Sequence, residues 1–391
     1  MPNLLRFRAM TASGLMIIQA GRYRDRKHKI VVIDKRTSLE YQIAYMAQLD
    51  RFLKLCADRK CSDLHIAAGI PMMLRSLGEM KPLTNQVVTP EQARLFIFEI
   101  LSDEQQEQLN KHWELDSIYE SADNQRFRMN VCKEQRGLAA VFRHIPGQIR
   151  TYAELGLPPV VEKLCLATQG LIIVTGPSRS GKTATMASML DWINTNRNEH
   201  IISIEDPIEY MHQNKKSIVS QRSLGSHTRS FANALRAALR EDPDVILIGE
   251  IRDLETMSLA LTAAETGHVV LTTLHTSGAS ATINRVVNLY PPAEQAQAQT
   301  TLAECLLGII SQQLIKNAAG DGMVAAFEVM VNTVAIANII RTGESFKLEG
   351  MMQMGAKDGM KLMENSLEEL LKAGQITRES RKEYSLKESV T

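Results

Sequence analysis

Eight consecutive residues carry the most specific chemistry in this chain: Gly176, Pro177, Ser178, Arg179, Ser180, Gly181, Lys182 and Thr183. In a G-x-x-x-x-G-K-T loop, backbone N–H groups wrap a polyphosphate, the lysine reaches its outer phosphates, and the threonine hydroxyl holds Mg²⁺. A strand must lead into such a loop and a helix must leave it, because the helix N-terminus adds a dipole that favours the anion. Both flanks are present. Leu171-Ile172-Ile173-Val174 is a β-rich apolar run, and Met186, Met189, Leu190 and Ile193 recur at helical spacing. Arg179 occupies a place where loops of this type often carry a second glycine. If that place needs a positive φ, the arginine costs on the order of 1 kcal/mol of strain.

Acids with the right setting follow. Glu205-Asp206-Pro207-Ile208-Glu209 comes after the apolar run Ile201–Ile204, and Val245-Ile246-Leu247-Ile248-Gly249-Glu250 ends four apolar residues with a carboxylate, a Walker-B-like pattern. Hydrolysis of a phosphoanhydride needs a carboxylate to orient the attacking water or accept its proton, and Mg²⁺ needs oxygen ligands, directly or through water. Glu209 suits the first role; Glu250, with Thr183, suits the second. His268 and His275 flank the next apolar run, Val269–Thr273. A histidine at a strand's carboxyl end is placed to hydrogen-bond a terminal phosphate and to lose that bond on hydrolysis. Arg236, Arg240, Arg252 and Arg285 are further candidates, since the guanidinium fork suits developing phosphoryl charge.

The elements that must position these groups form two patterns. Residues 46–147 read as a small α+β domain. Leu49, Phe52, Leu53, Leu55 and Cys56 mark an opening amphipathic helix, and strands begin at Asp63-Leu64-His65-Ile66 and turn at Gly78. Thr89-Pro90-Glu91-Gln92 is a helix start with a capping box, and Arg126–Val131 alternates polar and apolar before pairing with Leu138–Phe142 across Gly137. Pro/Gly-rich residues 148–159 read as a linker. From 160 to 391, β-rich apolar runs alternate with amphipathic helices up to about Phe327, then the chain turns helical and polar. Such alternation predicts an α/β domain with a mainly parallel sheet, whose ligands bind beyond the carboxyl ends of its strands.

Residues 1–45 stand apart, with nine Lys/Arg against three Asp/Glu, and are expected to form a surface extension. A basic arm touching anionic lipid, or a natural start at Met46, are the alternatives there. Over the whole chain 45 Lys+Arg balance 44 Asp+Glu, which argues against nucleic acid as the main partner. No apolar run approaches the ~18–20 residues that would span a bilayer. Five cysteines without C-x-x-C spacing indicate neither a disulfide framework nor a zinc site, and read as reduced, cytoplasmic thiols.

Four stretches together resemble the type II/type IV secretion ATPase superfamily, and within it the PilT-type retraction ATPases of type IV pili. They are the P-loop, Ile201–Glu209, Arg240–Thr256 and Ala263–Thr276. The resemblance runs from about Met46 to Ser385. It implies a RecA-like P-loop ATPase domain, a smaller PAS-like α+β N-terminal domain and a helical C-terminal region. By position it implies Glu209 as catalytic glutamate, Glu250 as Walker B glutamate and His275 as sensor, with Arg128 and Arg143 as candidate arginine fingers. The implied assembly is a homo-hexamer using ATP and Mg²⁺, at the cytoplasmic face of the inner membrane, acting with a pilus platform protein in that membrane and with other pilus ATPases. At Ala335–Thr342 the chain departs from the A-I-R-N-L-I-R-E pattern of retraction ATPases, with Ala337 where the first arginine belongs. Assembly-type relatives usually carry a four-cysteine zinc site, whereas Cys305 alone follows the P-loop here.

Overall fold

The computed structural model describes residues 47–388 except 60, 77 and 146, together with 9–12, 15–20 and 29–33. The described residues divide into two compact units, 1–76 with 80–144, and 77–79 with 145–391. Within the basic first segment, β1 (Ala9–Ala12), β2 (Leu15–Ala20) and β3 (Lys29–Ile33) pair antiparallel. The arginine-rich cluster 22–28 lies outside the described residues, as does Met46.

The first unit is built on a six-stranded sheet. Its strands are β4 (Asp63–Ala67), β5 (Pro71–Ser76), β6 (Glu79–Val87), β7 (Glu114–Glu120), β8 (Arg126–Glu134) and β9 (Gly137–Ile145), in the order β6-β5-β4-β9-β8-β7. Alternation along β8 is as predicted, with Phe127, Met129 and Val131 buried. These meet Leu49 and Leu53 of the opening helix Gln48–Asp58 and Ile97 of the helix Pro90–Phe98 in one core. Thr89 and Gln92 form the predicted capping box, each side chain bonded to the other's backbone N–H.

The second unit is a seven-stranded sheet whose strands run, in spatial order, Ile218–Ser223 (β12), His200–Glu205 (β11), Val245–Ile248 (β13), Val269–Thr273 (β14), Gly170–Thr175 (β10), Leu306–Lys316 (β15) and Met323–Val331 (β16). β10 (Gly170–Thr175), β11 (His200–Glu205), β13 (Val245–Ile248) and β14 (Val269–Thr273) are the four predicted runs, and they pair parallel. β10 is buried on both faces, and alternate residues serve different layers. Leu171 and Ile173 join the core beneath the helices Leu254–Glu265 and Gln295–Cys305. Ile172 and Val174 meet Met186, Met189 and Leu190 of the helix Lys182–Asn196 on the opposite face. A sheet covered on both sides needs continuous apolar strands, which is why these four runs were legible.

Three strands of this sheet were not read from the sequence. β12 (Ile218–Ser223) extends β11 in parallel; β15 (Leu306–Lys316) lies parallel to β10 and pairs antiparallel with β16 (Met323–Val331). The all-helical reading of 328–391 therefore begins inside a strand; beyond it the region is helical, at Val334–Thr342, Leu348–Met354, Met363–Lys372 and Arg378–Glu388. Part of the segment read as a linker also carries structure of its own. Thr151 caps a short helix, Tyr152–Leu155, whose Tyr152 ring meets Trp192 edge-on at 6.3 Å. Among the described residues, no helix is long and apolar enough to cross a membrane.

Candidate active site

β10 delivers the chain into Gly176, and the next strand over shapes the loop. Gly176 has φ +140°, and a Cβ there would collide with the Gln312 carbonyl oxygen of β15. Gly181 has φ +91°, and a Cβ there would lie 2.8 Å from Gln312 Nε2. Both glycines are thus required by close approach as well as by their dihedrals. Gln312 also accepts a 2.6 Å hydrogen bond from Thr185 Oγ1 on the helix that follows the loop. Sequence reasoning missed Gln312. Its only signal was a polar Ser311-Gln312-Gln313 triplet inside an otherwise apolar run, all three of them buried.

Arg179 is exposed and left-handed, with φ +68°, so the dihedral suspected from its position is present. Pro177 and Ser178 are exposed beside it, and the Ser180 hydroxyl is buried without a hydrogen-bond partner. Lys182 turns back into the loop. Its Nζ donates to the carbonyls of Gly176 at 2.8 Å and Pro177 at 2.9 Å, and lies 3.4 Å from His275 Nδ1. Burial lowers its pKa to about 8, against the opposing pull of Glu250. A desolvated ammonium and an orphaned hydroxyl inside a loop at a helix N-terminus fit a polyphosphate well, since an anion would satisfy both.

Glu250 follows β13 as predicted, and two donors hold its carboxylate. Arg252 bonds Oε1, and His275 Nε2 lies 3.3 Å from Oε2. Burial opposes its charge, but Arg252 and then His275 outweigh burial and keep the carboxyl below its usual pKa. Thr183, exposed at the loop exit, and an ionised Glu250 are the hard oxygen donors that Mg²⁺ takes, directly or through water.

The remaining predicted residues sort by position. Glu209 is half-buried in the irregular stretch after β11, and its backbone interacts with the carboxyl of Glu205. His268 precedes β14 and lies at the opposite end of that strand from His275. Its Nδ1 stands 3.0 Å from the Ala263 carbonyl, a local structural contact that does not bring it to the loop. Arg252 joins the site through Glu250, whereas Arg236 pairs with Glu255, and Arg240 and Arg285 are exposed. In the first unit Arg128 pairs with Asp116 at 2.8 Å and Arg143 with the buried Asp63 at 2.9 Å.

The family described as "Type II/IV secretion system protein" matches residues 120–347. The chain belongs to this family. The type IV pilus retraction ATPase PilT of Pseudomonas aeruginosa is 43% identical over 335 residues, covering 86% of this chain and 97% of that protein. A twitching motility protein of Neisseria gonorrhoeae is 42% identical over 318 residues, 81% of this chain and 85% of its own length. The crystal structure of the pilus retraction motor PilT with bound ADP superposes with a TM-score of 0.77 at 43% identity, covering 85% of this chain and 96% of that one. Kinship at this level makes the chain an ATP-hydrolysing enzyme of the family, with a RecA-like fold and an N-terminal domain.

Proposed function

We propose that this chain is the motor of type IV pilus retraction, a homo-hexamer that spends ATP to draw pilin back into the membrane. The observation carrying this reading is the near full-length match to PilT, 97% of whose length is covered. The working site is the cytoplasmic face of the inner membrane, with a platform protein of that membrane and other pilus ATPases as partners. The departure at Ala337 lies on the helix Val334–Thr342, where Ala337 is half-buried and Ile336, Ile339 and Ile340 are buried.

The chemistry assigned to each group follows from its surroundings. Lys182, already desolvated, neutralises charge on the outer phosphates, and the loop N–H groups orient them. Mg²⁺, when bound near Thr183 and Glu250, supplies positive charge that offsets the phosphates. Glu209 accepts the proton of the attacking water. His275 touches both Lys182 and Glu250, so a change at the phosphates is felt at once by the loop after β14. Arg128 and Arg143 are the proposed arginine fingers, each exchanging its carboxylate partner for phosphate.

Deleting the gene in its strain of origin and complementing with wild type or Lys182→Ala tests the reading. The expected result is a non-twitching, hyperpiliated strain rescued by wild type alone. A strain without surface pili would instead make the protein an assembly motor. Rescue by Lys182→Ala would remove ATP turnover from the explanation.

A further inference from the structure

Between β11 and β12, residues 206–217 form neither helix nor strand, so no backbone ladder fixes the position of Glu209. The side chain of Gln221 holds the residues that follow it. Gln221 on β12 sits opposite Ser203 of β11 in parallel register. Its amide nitrogen donates to the Tyr210 carbonyl at 2.9 Å and to Glu205 Oε1 at 3.2 Å, while its amide oxygen accepts from the His212 N–H at 2.8 Å. One side chain thus grips the two ends of the Tyr210–His212 segment, immediately after Glu209, with one donor and one acceptor, and ties that grip to Glu205 with its second donor. Glu205, the anchor, also accepts a 2.7 Å bond from Ser203 Oγ and interacts with the backbone of Glu209 itself.

We propose that Gln221, anchored on Glu205, is a positioning residue for ATP hydrolysis, which holds the backbone on the far side of Glu209 so that its carboxylate faces the attacking water. This rests on the reading of Glu209 as proton acceptor. Only a neutral amide of this length can donate twice and accept once here. Glutamate would turn a carboxylate toward Glu205 and toward the Tyr210 carbonyl, and asparagine falls one methylene short. Burial also pushes the Glu205 pKa up to about 7, so the anchor is partly protonated near neutrality and adds less repulsion to a charged Glu209.

The test is a double-mutant cycle on the full chain with Gln221→Ala, Glu209→Gln and the pair, following phosphate release at long times, KM for ATP and the thermal midpoint. Displacing a reacting group by a fraction of an ångström is expected to lower kcat on the order of ten- to a hundred-fold. KM should stay within about threefold of wild type, and in the Glu209→Gln background Gln221→Ala should cost nothing more. Gln221→Ala at wild-type kcat, or with an undiminished loss on top of Glu209→Gln, overturns the assignment. Glu209→Gln at wild-type rate would overturn the Glu209 reading itself, and this inference with it. If Gln221→Ala does not fold, Gln221→Asn carries the same comparison.

Discussion

His275 stands between Glu250 and Lys182, with Nε2 3.3 Å from the Glu250 carboxylate and Nδ1 3.4 Å from the lysine ammonium. A carboxylate can only accept and an ammonium can only donate, so the Nε2–H tautomer satisfies both neighbours at once. That arrangement ties the P-loop on β10 to the acid on β13 through the loop after β14. Removing the ring in His275→Ala should lower turnover on the order of ten- to a hundred-fold while nucleotide affinity changes little. Steady-state kinetics beside equilibrium binding of a fluorescent nucleotide checks this; affinity and turnover falling together would make His275 a binding residue only.

Lys182 gives the site a pH signature. Burial lowers its pKa to about 8, and phosphates at the loop raise it again. Nucleotide binding should therefore take up protons above pH 8, approaching one per site at about pH 9, and almost none near pH 7. The sign follows because binding favours the charged lysine, so affinity weakens as pH climbs past 8. Calorimetric titration in two buffers of different ionisation heat measures the uptake; equal enthalpies at pH 9 would contradict it.

The two candidate fingers differ in what they support within their own domain. Arg128 pairs with Asp116, which is 46% exposed, and Arg128→Ala should cost under about 1 kcal/mol of stability. Arg143 compensates Asp63, which is 1% exposed, and Arg143→Ala should cost about 2 kcal/mol, less than a fully buried pair because Arg143 itself is 42% exposed. Denaturant melts measure both. A loss of turnover of tenfold or more in Arg128→Ala, with its fold intact, is the expected mark of a finger, and unchanged turnover would exclude it.

Arg179 holds φ +68° at the exposed tip of the loop. Glycine there relieves on the order of 1 kcal/mol of left-handed strain, and gives part of it back through a more flexible unfolded chain. Arg179→Gly should raise the thermal midpoint slightly and leave turnover within about twofold. Sharply higher turnover would instead identify the arginine as a brake on the site.

Much of this was local and therefore legible. The P-loop needs only a strand, a loop and a helix in immediate succession, and the capping box at Thr89 needs four residues. β10, β11, β13 and β14 declared themselves because burial on both faces demands unbroken apolar runs. β15 did not, since buried Ser311, Gln312 and Gln313 interrupt the pattern with polar residues, Gln312 meeting a partner far off in the chain.

The amino-acid sequence by itself determined the phosphate loop, the acids after β11 and β13, and the parallel sheet that aligns them, because each is encoded in consecutive residues. The resemblance names His275 rather than His268 as sensor, but only the tertiary structure brings His275 to Lys182 and Glu250 and leaves His268 on the Ala263 carbonyl. His268 and His275 bracket a five-residue strand, and at about 3.3 Å per residue its length sends them to opposite ends of β14. It alone decided the roles of Gln312 and Gln221 as well. Gln312 meets Thr185 across 127 residues, and Gln221 reaches Glu205 only through the parallel register of β11 and β12. Pairings between distant strands arise from sheet order, which no short window of sequence contains.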